Sequence, residues 1–278
     1  MTEPVDRKSE VSAFFAKNAS SWRTRYGVQG FDEWEYQTRG RIALEWLTEL
    51  RTSSPGRLLE IGCGAGVQSI AAAQVGWNVT SVDFADGMLA EARRQSQEPK
   101  WVAAAVEALP FRPHSFDIVL MNGVIGYVND PMQALRAVHD QLRPGGRFIV
   151  SWASPHPLLL ERVSKRVSAV PDAVYLGLKR LVTGRANPTD SEGPGFYDQY
   201  LRRWRPGIFY EMLESTGFSI ERVRSQNFGR MRFMDRPIWP EQMDIRLSEW
   251  LDDRANAVPR RPVRDGARTH IAQVIVPA

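Results

Sequence analysis

An apolar run with an acid inside it, Leu58, Leu59, Glu60 and Ile61, leads into three alternate glycines, Gly62, Gly64 and Gly66. Glycines let a backbone take left-handed dihedrals and let a ligand approach the main chain. A helix that opens on such a turn offers unpaired N–H groups at its start. Dinucleotide-binding turns space their glycines G-x-G-x-x-G, and here the third comes one residue early. Glu60 would repel a pyrophosphate but attract the ammonium group of an amino acid. About 20 residues beyond the turn, as ribose recognition requires, stands Asp83 at the end of a second apolar run. One carboxylate can accept from both ribose hydroxyls. Asp83 or Asp86 could instead cap the helix opening near Gly87; ribose is expected for Asp83 and capping for Asp86.

Glu60-x-Gly62-x-Gly64-x-Gly66 resembles the first motif of class I S-adenosylmethionine (SAM)-dependent methyltransferases. The likeness continues with DFADGMLAEAR at residues 83–93, similar to that family's second strand–helix junction. VEALPF at 106–111 and SFDIVL at 115–120 resemble its adenine-side loop and fourth strand, and LRPGGRFIV at 142–150 its turn into the fifth. The resemblance covers residues 56–152, a little over a third of the chain. It implies SAM as cofactor, held by Glu60, Gly62, Gly64, Gly66, Asp83, Phe84, Met88, Val106, Glu107 and Asn122. One position departs: many relatives carry an aspartate two residues before the Glu107 position, and this chain has Ala105. Backbone groups near Val106 and Glu107, with Phe84 and Leu109 sandwiching the ring, would then hold adenine.

Methyl transfer from a sulfonium is an in-line displacement, so positioning and exclusion of water carry much of it. Asn122, Gly123 and Tyr127 follow the fourth strand and are the nearest sheet-borne candidates. WRTRY at residues 22–26 resembles lids of this family. Tyr26 is the first choice, and Trp22 the next, for a ring near the sulfonium, worth about 0.5–2 kcal/mol. Arg23, Arg25 or Arg39 could pair with the cofactor carboxylate. Of four histidines, only His156 falls just past the fifth strand, where a general base would stand. The catalytic candidates are therefore Tyr26, His156 and Tyr127. No ligand spacing suggests a metal.

These residues need strand ends to carry them. Residues 57–61, 78–82, 101–105, 116–121 and 146–152 read as strands. Residues 67–75, 87–95 and 131–142 read as helices between them, the last stopped by Arg143-Pro144-Gly145-Gly146. Such alternation implies an α/β, Rossmann-like, mostly parallel sheet with helices on both faces. Residues 205–216 read as a helix, with strands at 218–223 and 270–276 bringing the sheet to seven. The expected organisation is an N-terminal helical lid (1–50), a SAM-binding core (51–153), a helical substrate cap after the fifth strand (154–204) and a completion of the sheet (205–278).

Composition is that of an ordinary globular protein: 43% hydrophobic, 24% charged, with a formal net charge of +4. A single cysteine, Cys63, excludes an intrachain disulfide and fits a cytoplasmic protein. No signal-type or bilayer-spanning run is present, so no membrane insertion is expected. Aromatic residues from Phe196 to Tyr210 could wall a pocket for a small, partly hydrophobic acceptor, such as a secondary metabolite, a quinone-like or lipid molecule, or a decorated sugar. O-methylation is favoured, and C-methylation of an electron-rich carbon comes next. Arg202, Arg203, Arg205, Arg254, Arg260, Arg261, Arg264 and Arg268 could form a phosphate-binding face and make the chain an RNA methyltransferase. No appended RNA-binding module supports that, and a nucleic-acid partner is not the expectation. A non-catalytic SAM-binding protein is a further alternative. The aromatic N-terminal helix could cap its own pocket or a neighbour's, which leaves a homo-oligomer open.

Overall fold

Apolar strands and glycine-ended helices alternate through the first half of the chain, and each strand must bury both faces. The computed structural model describes residues 7–24, 30–155, 199–227, 232–233, 236–237, 241–257 and 267–277. The helical reading of residues 156–185 and the loop at 187–195 lie outside them.

Seven strands form one sheet: β1 (Arg57–Ile61), β2 (Asn78–Asp83), β3 (Lys100–Ala103), β4 (Phe116–Asn122), β5 (Leu142–Ala153), β6 (Ser219–Gln226) and β7 (Thr269–Ile275). Their order is β3-β2-β1-β4-β5-β7-β6. The first five pair in parallel, and β7 runs antiparallel to both β5 and β6. A separate antiparallel pair joins Arg232–Phe233 to Arg236–Pro237. The helices are α1 (Arg7–Lys17), α2 (Ala19–Thr24), α3 (Phe31–Glu49), α4 (Val67–Gln74), α5 (Asp86–Gln95), α6 (Pro131–Gln141), α7 (Pro206–Ser215) and α8 (Glu241–Ala257).

Side chains alternate across a strand, and here both sides are covered. Leu58, Ile118, Leu120 and Ile149 pack with Ile42, Trp46 and Leu47 of α3 and Ala72 of α4. Leu59, Val119, Met121, Phe148 and Val150 pack with Leu135 and Val138 of α6 and Phe209 and Leu213 of α7. Double burial explains why these strands read as continuous apolar runs. The chain turns from β1 toward β2 on one side and from β4 toward β5 on the other. The carboxyl ends of β1 and β4 therefore flank the crevice where open sheets of this kind hold ligands.

Three local expectations are corrected. Residues 143–146 do not merely stop a helix, since β5 already begins at Leu142, paired with Phe116 before a register shift. Gly145 takes φ +75°, and its N–H reaches the Val276 carbonyl at 2.9 Å. The last strand thus absorbs the kink. The third strand is shorter and earlier than expected, at Lys100–Ala103. Asp86 does not cap α5: it is the first helical residue, Ala85 holds the cap position, and no side chain caps the turn.

Candidate active site

At the end of β1, Glu60 is buried, only 3% exposed. It accepts a hydrogen bond from the Ser69 hydroxyl of α4, and the Ser81 hydroxyl donates to Ser69 Oγ at 2.7 Å. Desolvation pushes its carboxyl up to about 8, opposed by the Ser69 bond and reinforced by Asp83. Gly62 then turns at φ +71°, where a Cβ would fall 2.3 Å from Val124 Cγ2, so only glycine fits. The Gly62 and Cys63 amides donate to the Val82 carbonyl.

Asp83, at the end of β2, holds this turn from the other side. Its Oδ2 accepts from the Gly64 amide at 2.8 Å and its Oδ1 from the Ala85 amide at 2.9 Å. Burial raises its pKa, and backbone N–H groups, Ala85 first and then Gly64 and Phe84, pull it back. Each oxygen keeps further lone-pair capacity, so a carboxylate engaged this way can still accept from hydroxyls.

These strand ends open on a cavity of about 480 Å³. Glu60, Gly62, Gly64, Asp83, Phe84, Met88, Asn122 and Tyr127 all line it, as does Arg39. A narrower slot of about 40 Å³ shares Gly62, Asp83, Phe84, Val124 and Tyr127 with the cavity and adds Ala104, Ala105, Val106 and Glu107. Lys8 of α1 closes the slot, 3.5 Å from Glu107. Gly66 is not in the lining; its φ of +82° makes the bend into α4 with Trp101 packed against it. Leu109 packs on the main core instead of lining the slot. Tyr26 and His156 lie outside the described residues.

Asn122 lines the cavity as a brace. Its Nδ2 donates to Gln68 Oε1 at 2.9 Å, and its Oδ1 accepts from Ser151 Oγ at 2.6 Å. Ser151 Oγ in turn accepts from the Gly123 amide at 2.8 Å. Gln68 and Ser151 carried no sequence signal, because their pairing joins α4, β4 and β5 across distant positions.

The chain's own N-terminal helices roof the cavity. Phe15 packs edge-on against Tyr127 and Trp22 at 5.3 and 5.4 Å, and Trp22 meets Tyr36 at 5.3 Å. The Arg39 guanidinium lies 5.2 Å from the Tyr36 ring centre. α1 comes so close to α5 that a Cβ on Gly87 would stand 2.9 Å from the Ala16 backbone. Met88 packs under this roof with Ala85 and Ala19. Trp152 forms part of the wall, stacked between Phe209 at 4.4 Å and His270 at 5.1 Å.

The described arginines make different contacts. Arg203 and Arg268 line the cavity. Arg202 donates to the Asn129 carbonyl, and Arg254 stacks on Trp250. Arg260, Arg261 and Arg264 are outside the described residues. Among the described residues no helix is long and apolar enough to cross a membrane, and none of their His, Cys, Asp and Glu side chains group to hold a metal.

A family profile described as "Methyltransferase domain" matches residues 59–150, the stretch that builds this crevice. A ubiquinone biosynthesis O-methyltransferase of Dinoroseobacter shibae is 35% identical over 168 residues, covering 56% of this chain and 67% of that protein. The chain belongs to the class I SAM-dependent methyltransferase superfamily. A ubiquinone biosynthesis O-methyltransferase of Ruegeria pomeroyi is 39% identical over 130 residues, 44% of this methyltransferase-family chain. There the match spans about half of the relative's length, 52%. The magnesium protoporphyrin IX methyltransferase of Synechocystis PCC 6803, solved with bound S-adenosylhomocysteine (SAH), superposes with a TM-score of 0.60. It is 18% identical and covers 96% of this chain and 99% of its own, a likeness of fold.

The cofactor of this superfamily is SAM, and the side chains here fit it. The Gly62 turn leaves room that a Cβ would fill. Arg39 lines the cavity with a buried Nε that has no hydrogen-bond partner, suited to a carboxylate. Glu60 suits an ammonium, Asp83 a ribose, and the Phe84–Val106 slot a flat ring.

Proposed function

We propose that this methyltransferase uses SAM to methylate a small, partly hydrophobic acceptor, with O-methylation as the leading chemistry. The observation that carries the reading is the convergence of Glu60, Asp83 and the Phe84–Val106 slot on one crevice beneath an aromatic roof. When bound, SAM supplies a methyl group on a sulfonium with a good thioether leaving group.

The chain's residues do the rest by placement. Gly62, Gly64 and Asp83 fix the turn against which the amino-acid end would lie. Phe84 and Val106 would sandwich adenine, with the backbone of Val106 and Glu107 reading its edge and Met88 beneath. Phe15, Trp22 and Tyr127 exclude water from the reacting atoms. Tyr127, which lines the cavity, is proposed to hydrogen-bond an acceptor hydroxyl, His156 to act as the base and Tyr26 to supply the ring near the sulfonium. In this reading residues 1–50 act as the lid, 51–153 as the cofactor core and 154–204 as the acceptor cap, with 205–278 completing the sheet. The relatives named for ubiquinone biosynthesis support a quinone-like or lipid-like acceptor. The lone buried thiol of Cys63 is in keeping with a cytoplasmic enzyme.

C-methylation is the second reading, favoured by the several rings lining the same cavity, which could stabilise a cationic carbon centre. Incubation with methyl-labelled SAM and an extract of the producing cell, followed by mass analysis, tests both. A labelled small product is expected, and its regiochemistry separates oxygen from carbon. No labelled product, together with no calorimetric binding of SAH, would overturn the function.

A further inference from the structure

The cavity has two chemically different ends. Glu60, Asp83 and Phe84 mark the cofactor end. At the ends of β5 and β7, the lining includes Trp152, Ala153, Leu201, Arg203 and Arg268. Arg203 and Arg268, separated by 65 positions in the chain, thus line one cavity, and backbone bonds hold the segments that carry them.

Arg203 lies between two anchors. The Arg202 amide donates to the Gly126 carbonyl at 2.9 Å, and the Trp204 amide to the Ala153 carbonyl at 2.9 Å. Arg268 donates its own amide to the Asn227 carbonyl at 2.7 Å and accepts from the Ser154 amide at 2.7 Å. Both guanidinium stems therefore start from positions pinned to the sheet edge. Glu35, which also lines the cavity, is engaged by Asn227, Thr269 and Arg39. Guanidinium groups match the planar oxyanions of carboxylates and phosphates better than any other side chain.

We propose that the acceptor carries an oxyanion group, carboxylate or phosphate, and that Arg203 and Arg268 receive it as a handle. The anion sits at the β5–β7 end, the apolar body lies along Trp152 and Leu201, and the methyl-accepting atom faces the cofactor end. The inference rests on the cavity being a SAM-dependent methyl-transfer site, and it narrows the acceptor to anionic molecules.

The test uses the full chain saturated with SAH and three matched sets of hydroxylated aromatic probes: carboxylates, aryl phosphates and neutral amides. Calorimetry at low salt is expected to show one anionic set binding tighter than the amides by about tenfold. Which set does so identifies the handle as carboxylate or phosphate. Arg203→Gln and Arg268→Gln should each remove most of that preference, Arg268→Lys should retain part of it, and SAH affinity should stay unchanged in all three. Raising the salt should shrink the preference as well. Acids and amides binding alike, no anion binding at all, or a preference that survives both glutamine substitutions would overturn the handle while leaving the SAM site standing. If the unsubstituted protein fails to bind SAH, the methyl-transfer reading falls first and takes this inference with it.

Discussion

Oδ2 of Asp83 accepts the amide hydrogen of Gly64 at 2.8 Å, so the end of the second strand holds the glycine turn that follows the first. The residue chosen for ribose recognition thus also maintains the shape of the neighbouring loop. Asp83→Ala leaves the Gly64 and Ala85 amides without their acceptor, at a cost of about 1–3 kcal/mol. SAH affinity should fall by about tenfold or more. Thermal unfolding and calorimetry of the variant check both, and an unchanged SAH affinity would remove Asp83 from the site.

Glu60 makes stability depend on pH in an unusual direction. Its folded value, pushed up to about 8, lies above the ordinary 4.5, so the folded chain prefers the protonated form. That contribution is fully present below about pH 4.5 and is lost as the pH rises toward and through 8. Asp83 and Asp252 are shifted the same way by burial, so the test must be differential. Subtracting the stability profile of Glu60→Gln from that of the unsubstituted chain should leave a decline across this window. A flat difference would contradict the buried acid.

The same acid predicts a proton count. Binding an ammonium beside Glu60 favours its ionised form, so SAH binding near pH 7 should release up to one proton. Calorimetry in two buffers of different ionisation heat measures that release. Glu60→Gln should abolish it.

Gly126 sits where residues 201–202 dock on the turn after β4. A Cβ there would lie 2.5 Å from Leu201 Cδ1 and 2.9 Å from the Arg202 carbonyl oxygen. Gly126→Ala should push this segment away from the acceptor end, raising the acceptor KM severalfold while SAH affinity holds. Equal loss of both affinities would mean that the two ends of the cavity are not separable.

The roof is held by rings in series, Tyr127–Phe15–Trp22–Tyr36. Phe15→Ala removes about 1–2 kcal/mol of packing and should weaken SAH binding. Hydrogen exchange in α1 and α2 should quicken while the β4–β5 amides keep their protection. Loss of protection throughout the sheet would make the roof part of the folding core.

The crevice was legible in the sequence because its chemistry is local. Glu60 and the three glycines fall within seven residues, and strand–helix alternation places Asp83 at a neighbouring strand end. Residues 143–146 were harder to read: Pro144 and Gly145 resemble a breaker, yet tertiary pairing with Val276 makes them a bulge inside β5. The acceptor end was hidden for a different reason. Arg203 and Arg268 read as two among several scattered arginines, and only β7, inserted beside β5, brings them to one cavity. Arg222 and Arg224 look no different in sequence, yet they pair with Glu49 and Glu45 of α3.

Trp152 stands with Phe209 on one side and His270 on the other. A wall clamped in this way has no room to swing aside for a bulkier guest. If the proposed acceptor lies along it, selectivity on that flank would work by steric exclusion rather than by adaptation. Descendants that evolve a new diet would sooner exchange Leu201 or Arg203, on the segment beyond the sheet, than the indole set within it.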